Sequence, residues 1–406
     1  MDKFRKLRLS ENLLKSLEEM KISEPTEIQE KAIPFVLEGR DVLGSSATGS
    51  GKTLAFGVGI VQKVEREKGV QALVMTPTRE LAEQVAESLE KFAKYFRMNI
   101  ARVYGGVGIN PQIKNLRRSE VVVGTPGRLL DHMERRTIDL SKVKFLVLDE
   151  ADRMLEMGFV DDVMKIVDAC PRKRQTLLFS ATISPDINEL SRMYLKNPVM
   201  VSVDSYVDPT KLSQLFYDVP SHLKFSLLVH LLKGERAGLV MVFCNTRSNV
   251  DLVVRNLEKN RIDALAIHGG LAQARRSSVM KSFHSNSTRV LVCTDVAARG
   301  LDIKGVSHIY NFEIPKNSTE YIHRIGRTAR AGKDGMAVSL VSSRDYSNFN
   351  KVCEDKKLKI VQKDMPHVEQ LRVDFYSEKR RRFGNQHGQD NRGRRNYPRG
   401  GGSRYR

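Results

Sequence analysis

Short apolar runs separated by amphipathic stretches recur along this chain in two blocks, and that alternation restricts the fold more than any other feature. In the first block the runs are ALVMT (72–76), EVVVG (120–124), KFLVLDE (144–150), QTLLFS (175–180) and PVMVSV (198–203). Unbroken apolarity over a few residues, bounded by turn residues, is what a parallel strand covered on both faces requires. Between the runs lie stretches of helical period. In ELAEQVAESLEKFAKYF (80–96), for example, Leu81, Val85, Leu89, Phe92 and Phe96 fall on one face. Strands and helices in alternation predict an α/β domain.

The pattern restarts after DSYVDPTKL (204–212), with GLVMVFC (238–244), DALAIHG (263–269), RVLVCTD (289–295) and VSHIYNF (306–312). The polar segment 204–212, broken by Pro209, is the expected linker. It separates domains at 1–203 and 213–372 that share an architecture without repeating a sequence, and 406 residues suffice for two cores. From Ser377 the composition changes. Residues 377–406 hold ten Lys and Arg against Glu378 and Asp390 and have no branched aliphatic side chain, so they are expected to be disordered.

Charge narrows the partners. Lys and Arg number 68 against 48 Asp and Glu, a net +20 that favours a polyanion such as nucleic acid or an acidic membrane surface. Cys170, Cys244, Cys293 and Cys353 lie too far apart for a zinc pattern and are expected to be reduced thiols. No apolar stretch approaches the length of a membrane span, and MDKFRKLRLSENLL lacks a signal-peptide core. A cytosolic or nuclear setting follows, with no membrane partner.

Three motifs carry chemistry together, although alone the first also reads as a Gly/Ser turn before a helix and the Gln29 of the third as an ordinary surface residue. SATGSGKT (46–53) follows the apolar DVLG and precedes a helical stretch, as a phosphate-binding loop does. Its glycines let backbone N–H groups wrap phosphate oxygens, Lys52 supplies charge to the β/γ phosphates, and Thr53 can ligate magnesium. Ser46 stands where the general pattern has glycine. KFLVLDEAD (144–152) ends a strand in Asp149, suited to hold Mg²⁺ through water, and Glu150, suited to polarise an attacking water. Acids in that position also cap helices. In PTEIQ (25–29) the Gln29 amide, just ahead of a helix, can donate and accept at once, which matches adenine and not guanine.

With PTREL (77–81), TPGRL (125–129), SAT (180–182), ARGLD (298–302) and HRIGRTARAG (323–332), these motifs form an ordered set. The set resembles the DEAD-box family of ATP-dependent RNA helicases over residues 1 to 365. The resemblance implies two RecA-like domains on a flexible linker, with ATP and RNA bound across the cleft between them. Carried over by position, Phe4 is the isolated upstream aromatic and Gln29 the adenine reader. Thr48, Gly49, Ser50, Gly51, Lys52 and Thr53 form the triphosphate site. Ser180 and Thr182 couple hydrolysis to domain movement, although a hydroxyl turn closing a strand would read the same. Asp302 is the ribose contact, and Arg327 and Arg330 face the γ-phosphate. Because those arginines lie far from Lys52 in sequence, hydrolysis is expected to need both domains closed together.

The implied RNA contacts are Pro77, Thr78, Arg79, Gly105, Gly106, Thr125, Pro126, Gly127 and Arg128 in the first domain. In the second they are Asn245, Thr246, Arg247 and Thr294. Hydroxyls and small residues suit phosphates and 2′-OH groups, which carry no base sequence. The chain departs from the family at Lys21–Ile22 (Gly-Phe), Ser46–Ala47 (Ala-Gln) and Gly270 (Asp). It departs again at Ala329, which replaces Gly at a position expected to be helical, where a methyl makes no demand. The Arg/Gly tail, with Phe383, Tyr397 and Tyr405 among its charges, is expected to bind RNA or dock ribonucleoprotein partners. The resulting expectation is an RNA-dependent ATPase that separates short duplexes. An ATP-set RNA clamp and a DNA translocase are the rivals; Glu150 with Arg327 and Arg330 weighs against the first, Gln29 and DEAD against the second.

Overall fold

The computed structural model describes residues 1–46, 49–203, 212–234, 238–298, 303, 305–329 and 334–375. The linker residues 204–211, Thr48, Asp302, Arg330 and the tail from 376 onward lie outside that set. The first half holds strands β1 (Val42–Ser45), β2 (Ala72–Met75), β3 (Ile100–Val103), β4 (Val121–Gly124), β5 (Phe145–Leu148), β6 (Gln175–Ser180) and β7 (Val199–Ser202). The second holds β8 (Leu212–Asp218), β9 (Leu239–Cys244), β10 (Ala264–Ile267), β11 (Val290–Thr294), β12 (Val306–Asn311), β13 (Gly335–Val341) and β14 (Val361–Lys363). Each apolar run singled out in the sequence contains one of them. Of the strands without such a signal, β3 and β14 lie at sheet edges and β8 is the more polar, whereas β13 is a buried interior strand.

Both sheets are seven-stranded and wholly parallel. Their orders are β3-β4-β2-β5-β6-β1-β7 and β10-β11-β9-β12-β13-β8-β14, the same topology twice. These are the two α/β domains that the alternation predicts, built as the tandem RecA-like domains that the resemblance implies. Side chains alternate across each sheet as the pleat requires. Ala72, Val74, Phe145 and Val147 enter one core of the first domain, and Leu73, Met75, Leu146 and Leu148 the other. In β9, Leu239, Met241 and Phe243 point to one core while Val240, Val242 and Cys244 point to its opposite. Helices close both faces; Arg79–Phe92 buries Leu81, Val85, Leu89 and Phe92, with Phe96 packing just beyond its end.

Three sequence expectations shift. Leu212 belongs to the second core, where β8 pairs with β13 from Leu212 to Asp218, so the second domain opens one residue earlier than drawn. Its body also runs past 372. Asp374 accepts from Asn256 Nδ2 at 3.2 Å and donates its N–H to Asn256 Oδ1 at 2.8 Å, while Val368, Leu371 and Val373 pack on the second domain. Ala329 is not helical. The preceding helix ends at Ile325, and Ala329 sits at φ 54° in the left-handed region that L side chains avoid.

Lys21, at φ 58°, repeats that situation just after the helix Glu11–Glu19. Both are positions where the resemblance implies glycine, and both backbones are in the region that glycine favours. Cys170, Cys244, Cys293 and Cys353 are free thiols, the first three buried, and burial pushes the Cys170 thiol up to about 11. No helix among the described residues is long and apolar enough to cross a membrane. Left-handed strain at a non-glycine residue costs about 1 kcal/mol. Lys21→Gly and Ala329→Gly are therefore each expected to stabilise the fold by ~1 kcal/mol, read as a higher urea midpoint at unchanged slope.

Candidate functional site

Parallel strands deliver all their C-terminal ends to one edge of each sheet, and the motif residues lie there. In the first domain the sheet order divides them. Ser46–Thr53, Asp149–Glu150 and Ser180–Thr182 follow β1, β5 and β6, whereas Pro77–Arg79, Gly105–Gly106 and Thr125–Arg128 follow β2, β3 and β4. The first group gathers around the N-terminus of the helix Lys52–Lys63. Gly51, at φ 94°, ends the loop and caps the helix Lys52–Lys63, whose first N–H groups and dipole favour an anion.

Lys52 is buried with its Nζ 3.8 Å from Asp149 Oδ1 and donating to Ser46 O at 3.3 Å. Burial raises the Asp149 carboxyl to about 6, with Lys52 pulling it down and Glu150 and Asp152 pushing it up. Glu150, at φ 51°, turns the chain into the helix Ala151–Glu156 and donates its N–H to Asp149 Oδ1 at 3.0 Å. Ser46 is buried too; its Oγ lies 2.9 Å from Ser50 Oγ and its N–H donates to Ser180 O at 3.0 Å. The departure from glycine thus ties the loop's two ends together.

Asp152 was not among the sequence candidates, yet it anchors the SAT turn. Its Oδ2 accepts from Ala181 N, Thr182 N and Thr182 Oγ1 at 3.0–3.1 Å, and Ser180 Oγ donates to Thr182 O at 2.7 Å. The acid at the fourth position of DEAD was the signal that could have found it.

The two upstream base-site candidates are placed differently from expectation. Gln29 is buried inside the helix Glu27–Glu38, not ahead of it; its Oε1 accepts from Thr26 N and its Nε2 donates to Gly51 O, each at 3.0 Å. Thr26 Oγ1 adds a bond to Ser50 O at 2.7 Å. Both ends of the amide are thus engaged, the oxygen on the helix cap and the nitrogen on the loop at Gly51 O. Phe4 is fully enclosed in the first core and presents no ring face to a base.

The second group forms an open face. Thr78 caps the helix Arg79–Phe92 by accepting from Leu81 N. Arg79 lies across Gly105 and Gly106: a Cβ at Gly106, itself at φ 80°, would overlap Arg79 Nη1. Thr125 and Pro126 open the helix Pro126–Glu134, on which Gly127 is exposed and Arg128 donates to Val107 O at 3.1 Å. Pro77 and Pro126 are buried and shape their loops. Behind the glycine loop, Gln112 Nε2 donates to Tyr104 O at 3.0 Å, and His132 Nε2 lies 3.2 Å from Gln112 Oε1. Burial, with Arg128 nearby, holds the His132 imidazole below its usual value, so it stays neutral at pH 7.

The second domain repeats the division. Asn245–Arg247 and Thr294 follow β9 and β11, while the helix Ser318–Ile325 leads from β12 to the buried Arg327. Thr246 caps its helix as Thr78 does, accepting from Asn249 N at 3.2 Å, and Arg247 rests on Gly269 and Gly270 as Arg79 rests on its own pair. The two faces meet at Glu80. Its carboxylate accepts from Gln273 Nε2 at 3.1 Å and pairs with Arg276 Nη2 at 2.8 Å, all largely buried. Gln273 and Arg276, one helical turn apart, were missed because nothing in the sequence gives their partner.

Comparison with known proteins follows this geometry. A family model described as DEAD/DEAH box helicase matches residues 26–190, and one described as helicase conserved C-terminal domain matches residues 223–332. The chain is 45% identical over 360 residues to the ATP-dependent RNA helicase CshA of Listeria monocytogenes, covering 88% of this chain and 69% of that protein. It is 43% identical over 373 residues to the DEAD-box ATP-dependent RNA helicase CshA of Bacillus cereus, covering 91% and 71%. Dbp5 of S. cerevisiae bound to RNA and ADP BeF3 superposes with a TM-score of 0.82 at 31% identity, covering 89% of this chain and 95% of that one. A DEAD box protein from Methanococcus jannaschii gives 0.55 at 38% identity, covering 89% and 98%. A score of 0.82 over both halves means that their relative placement is shared as well.

Because a methyl at Gly106 would strain the backbone and displace Arg79, Gly106→Ala is expected to weaken binding of a labelled single-stranded RNA roughly tenfold. Fluorescence anisotropy with a non-hydrolysable ATP analogue measures this, and the unfolding midpoint should fall by only about 1 kcal/mol equivalent.

Proposed function

The chain belongs to the DEAD/DEAH box helicase family and is an ATP-dependent RNA helicase, and on that premise we propose how its side chains divide the work. The triphosphate lies against Gly49–Thr53, where the helix N-terminus and Lys52 neutralise it. The observation that carries this assignment is the buried Lys52–Asp149 pair, which joins the first residue of the helix Lys52–Lys63 to the residue after β5. A lysine and a carboxylate held this close in a water-poor cradle are poised to part around a phosphate and its counterion.

Mg²⁺ fits the residues present. Asp149 is a buried carboxylate with one nearby cation, Thr53 offers a hydroxyl on the first turn, and no larger acid or histidine cage exists among the described residues. That suits an ion brought by the nucleotide's phosphates. Asp149 and Thr53 would hold it, and when bound it offsets charge on the phosphoryl oxygens. Glu150 orients the attacking water. Arg327, from the other domain, faces the γ-phosphate, joined by Arg330; Asp302 meets the ribose. Gln29 keeps one N–H and one lone pair for adenine while it holds Thr26 N and Gly51 O, so base choice and loop shape are linked through one amide. Asp152 carries the change on to Ser180 and Thr182.

RNA runs over Thr78–Arg79, Gly105–Gly106 and Thr125–Arg128, then over Asn245–Arg247 and Thr294. The supporting observation is the matched pair of arginines laid over diglycines. Backbone-directed contacts make the grip independent of sequence, and closing both faces on one strand bends it and parts short duplexes. Residues 377–406 add charge to that grip or dock ribonucleoprotein partners. We place the activity in the cytoplasm, consistent with four free thiols.

Lys52→Ala is expected to abolish RNA-stimulated ATP hydrolysis and weaken nucleotide binding; retained turnover would remove Lys52 from the site. Glu150→Gln should keep ATP-dependent RNA binding while slowing turnover by about 10² or more. If that variant loses ATP affinity instead, the base lies elsewhere. Deletion after Tyr376 should leave saturated turnover unchanged and flatten the plot of log affinity against log salt by roughly 0.7 for each tail cation that meets a phosphate.

A further inference from the structure

Arg324 is the largest fully buried side chain among the described residues, 1% exposed, in the last turn of the helix Ser318–Ile325. A guanidinium taken out of water costs several kcal/mol unless its donors are matched. Here the match is complete. Nε and Nη2 donate to the two oxygens of Asp295, each at 2.6 Å; Nη2 also donates to Asn245 Oδ1 at 2.9 Å. Nη1 donates to Asn311 Oδ1 at 3.1 Å and Glu313 O at 2.6 Å. An arginine has five N–H donors, and five acceptors meet them. The plane of the group also packs against the Phe243 ring at 5.1 Å.

Those acceptors come from three separate connections. Asn245 opens the loop after β9 and Asp295 follows Thr294 at the end of β11; Asn311 and Glu313 close β12. Glu313 completes the frame, its Oε2 accepting from Asn245 N at 2.6 Å and its Oε1 from Asn249 Nδ2 at 2.7 Å. Asn245 is therefore held by its side chain and its backbone at once. On the other side, Arg327 N–H donates to Arg324 O at 3.1 Å, so the arginine assigned to the γ-phosphate hangs from the same residue.

We propose that Arg324 is a positioning residue that ties the two RNA-facing loops of the second domain to the segment carrying Arg327, so that they move as one body. It is buried beneath both surfaces and acts through Asn245, Asp295 and the backbone. The inference rests on the functional reading above. Its consequence is that RNA at Asn245–Arg247 and Thr294 and the phosphate at Arg327 are sensed by a single rigid unit.

Arg324→Lys keeps the charge but offers three donors from one point, which cannot span five acceptors around a plane. Asn311→Ala removes one acceptor from a fully buried strand end and alters no residue assigned to RNA. The test is RNA-stimulated ATPase with a single-stranded oligoribonucleotide, separating the half-saturating RNA concentration from the maximal rate. Arg324→Lys is expected to raise the half-saturating concentration about tenfold or more and to lower the maximal rate, and Asn311→Ala to do the same more weakly. A merely structural loss would reduce the folded fraction, lowering the rate without moving the half-saturating concentration. Wild-type half-saturation in a folded Arg324→Lys overturns the proposal; should that variant fail to fold, wild-type half-saturation in Asn311→Ala overturns it. Absence of RNA stimulation in the unmodified chain would refute the functional reading itself, a result distinguishable from either.

Discussion

In both sheets every strand points the same way, and the rest of the structure depends on that constraint. Parallel pairing forces each connection to cross over a helix, so all strand ends that carry motifs reach one edge. The strand order then sorts them. In each domain the half of the sheet at β3-β4-β2, or β10-β11-β9, bears the residues assigned to RNA, and the strands beyond it bear the phosphate-site residues Lys52, Asp149 and Glu150 or lead to Arg327. Closing the two edges on each other juxtaposes like with like, and the Glu80–Arg276 pair is where that closure is visible.

Buried charge does the fine positioning. Lys52 with Asp149, Glu80 with Arg276, and Arg324 with Asp295 each bring ions out of water, which is costly unless donors and acceptors are matched. Matched sets tolerate little displacement, because moving one partner leaves another unsatisfied. The loops at the cleft are thereby held in discrete arrangements, a property that ATP-driven movement requires. Asp152, bonded to three groups of the SAT turn, extends the same logic from chemistry to conformation.

Much of this was legible in the sequence. Strands such as ALVM and FLVL announce themselves because both faces are covered, which requires apolarity at every position. The phosphate loop and DEAD are legible because backbone geometry and charge at short spacing suffice to define them. Phe4 and Gln29 were less so: a lone aromatic reads alike in a core or on a base, and an amide reads alike against adenine or against Gly51 O. Ala329 misled because local helix preference does not foresee a left-handed residue set by the packing of Thr328 under β12, where its Oγ1 donates to Val306 O at 2.6 Å.

By itself, then, the amino-acid order determined the two α/β domains, their phosphate and acid motifs and the family they belong to, since each depends on neighbours within a few residues. Tertiary structure alone decided which charges pair across the chain. Glu80 finds Arg276 and Arg324 finds Asn245 and Asp295 only after the strands have been ordered and the domains closed. Sequence separation carries no record of such contacts, because the entropy of closing the intervening chain is offset by the sheet and its cores and not by the pairs themselves.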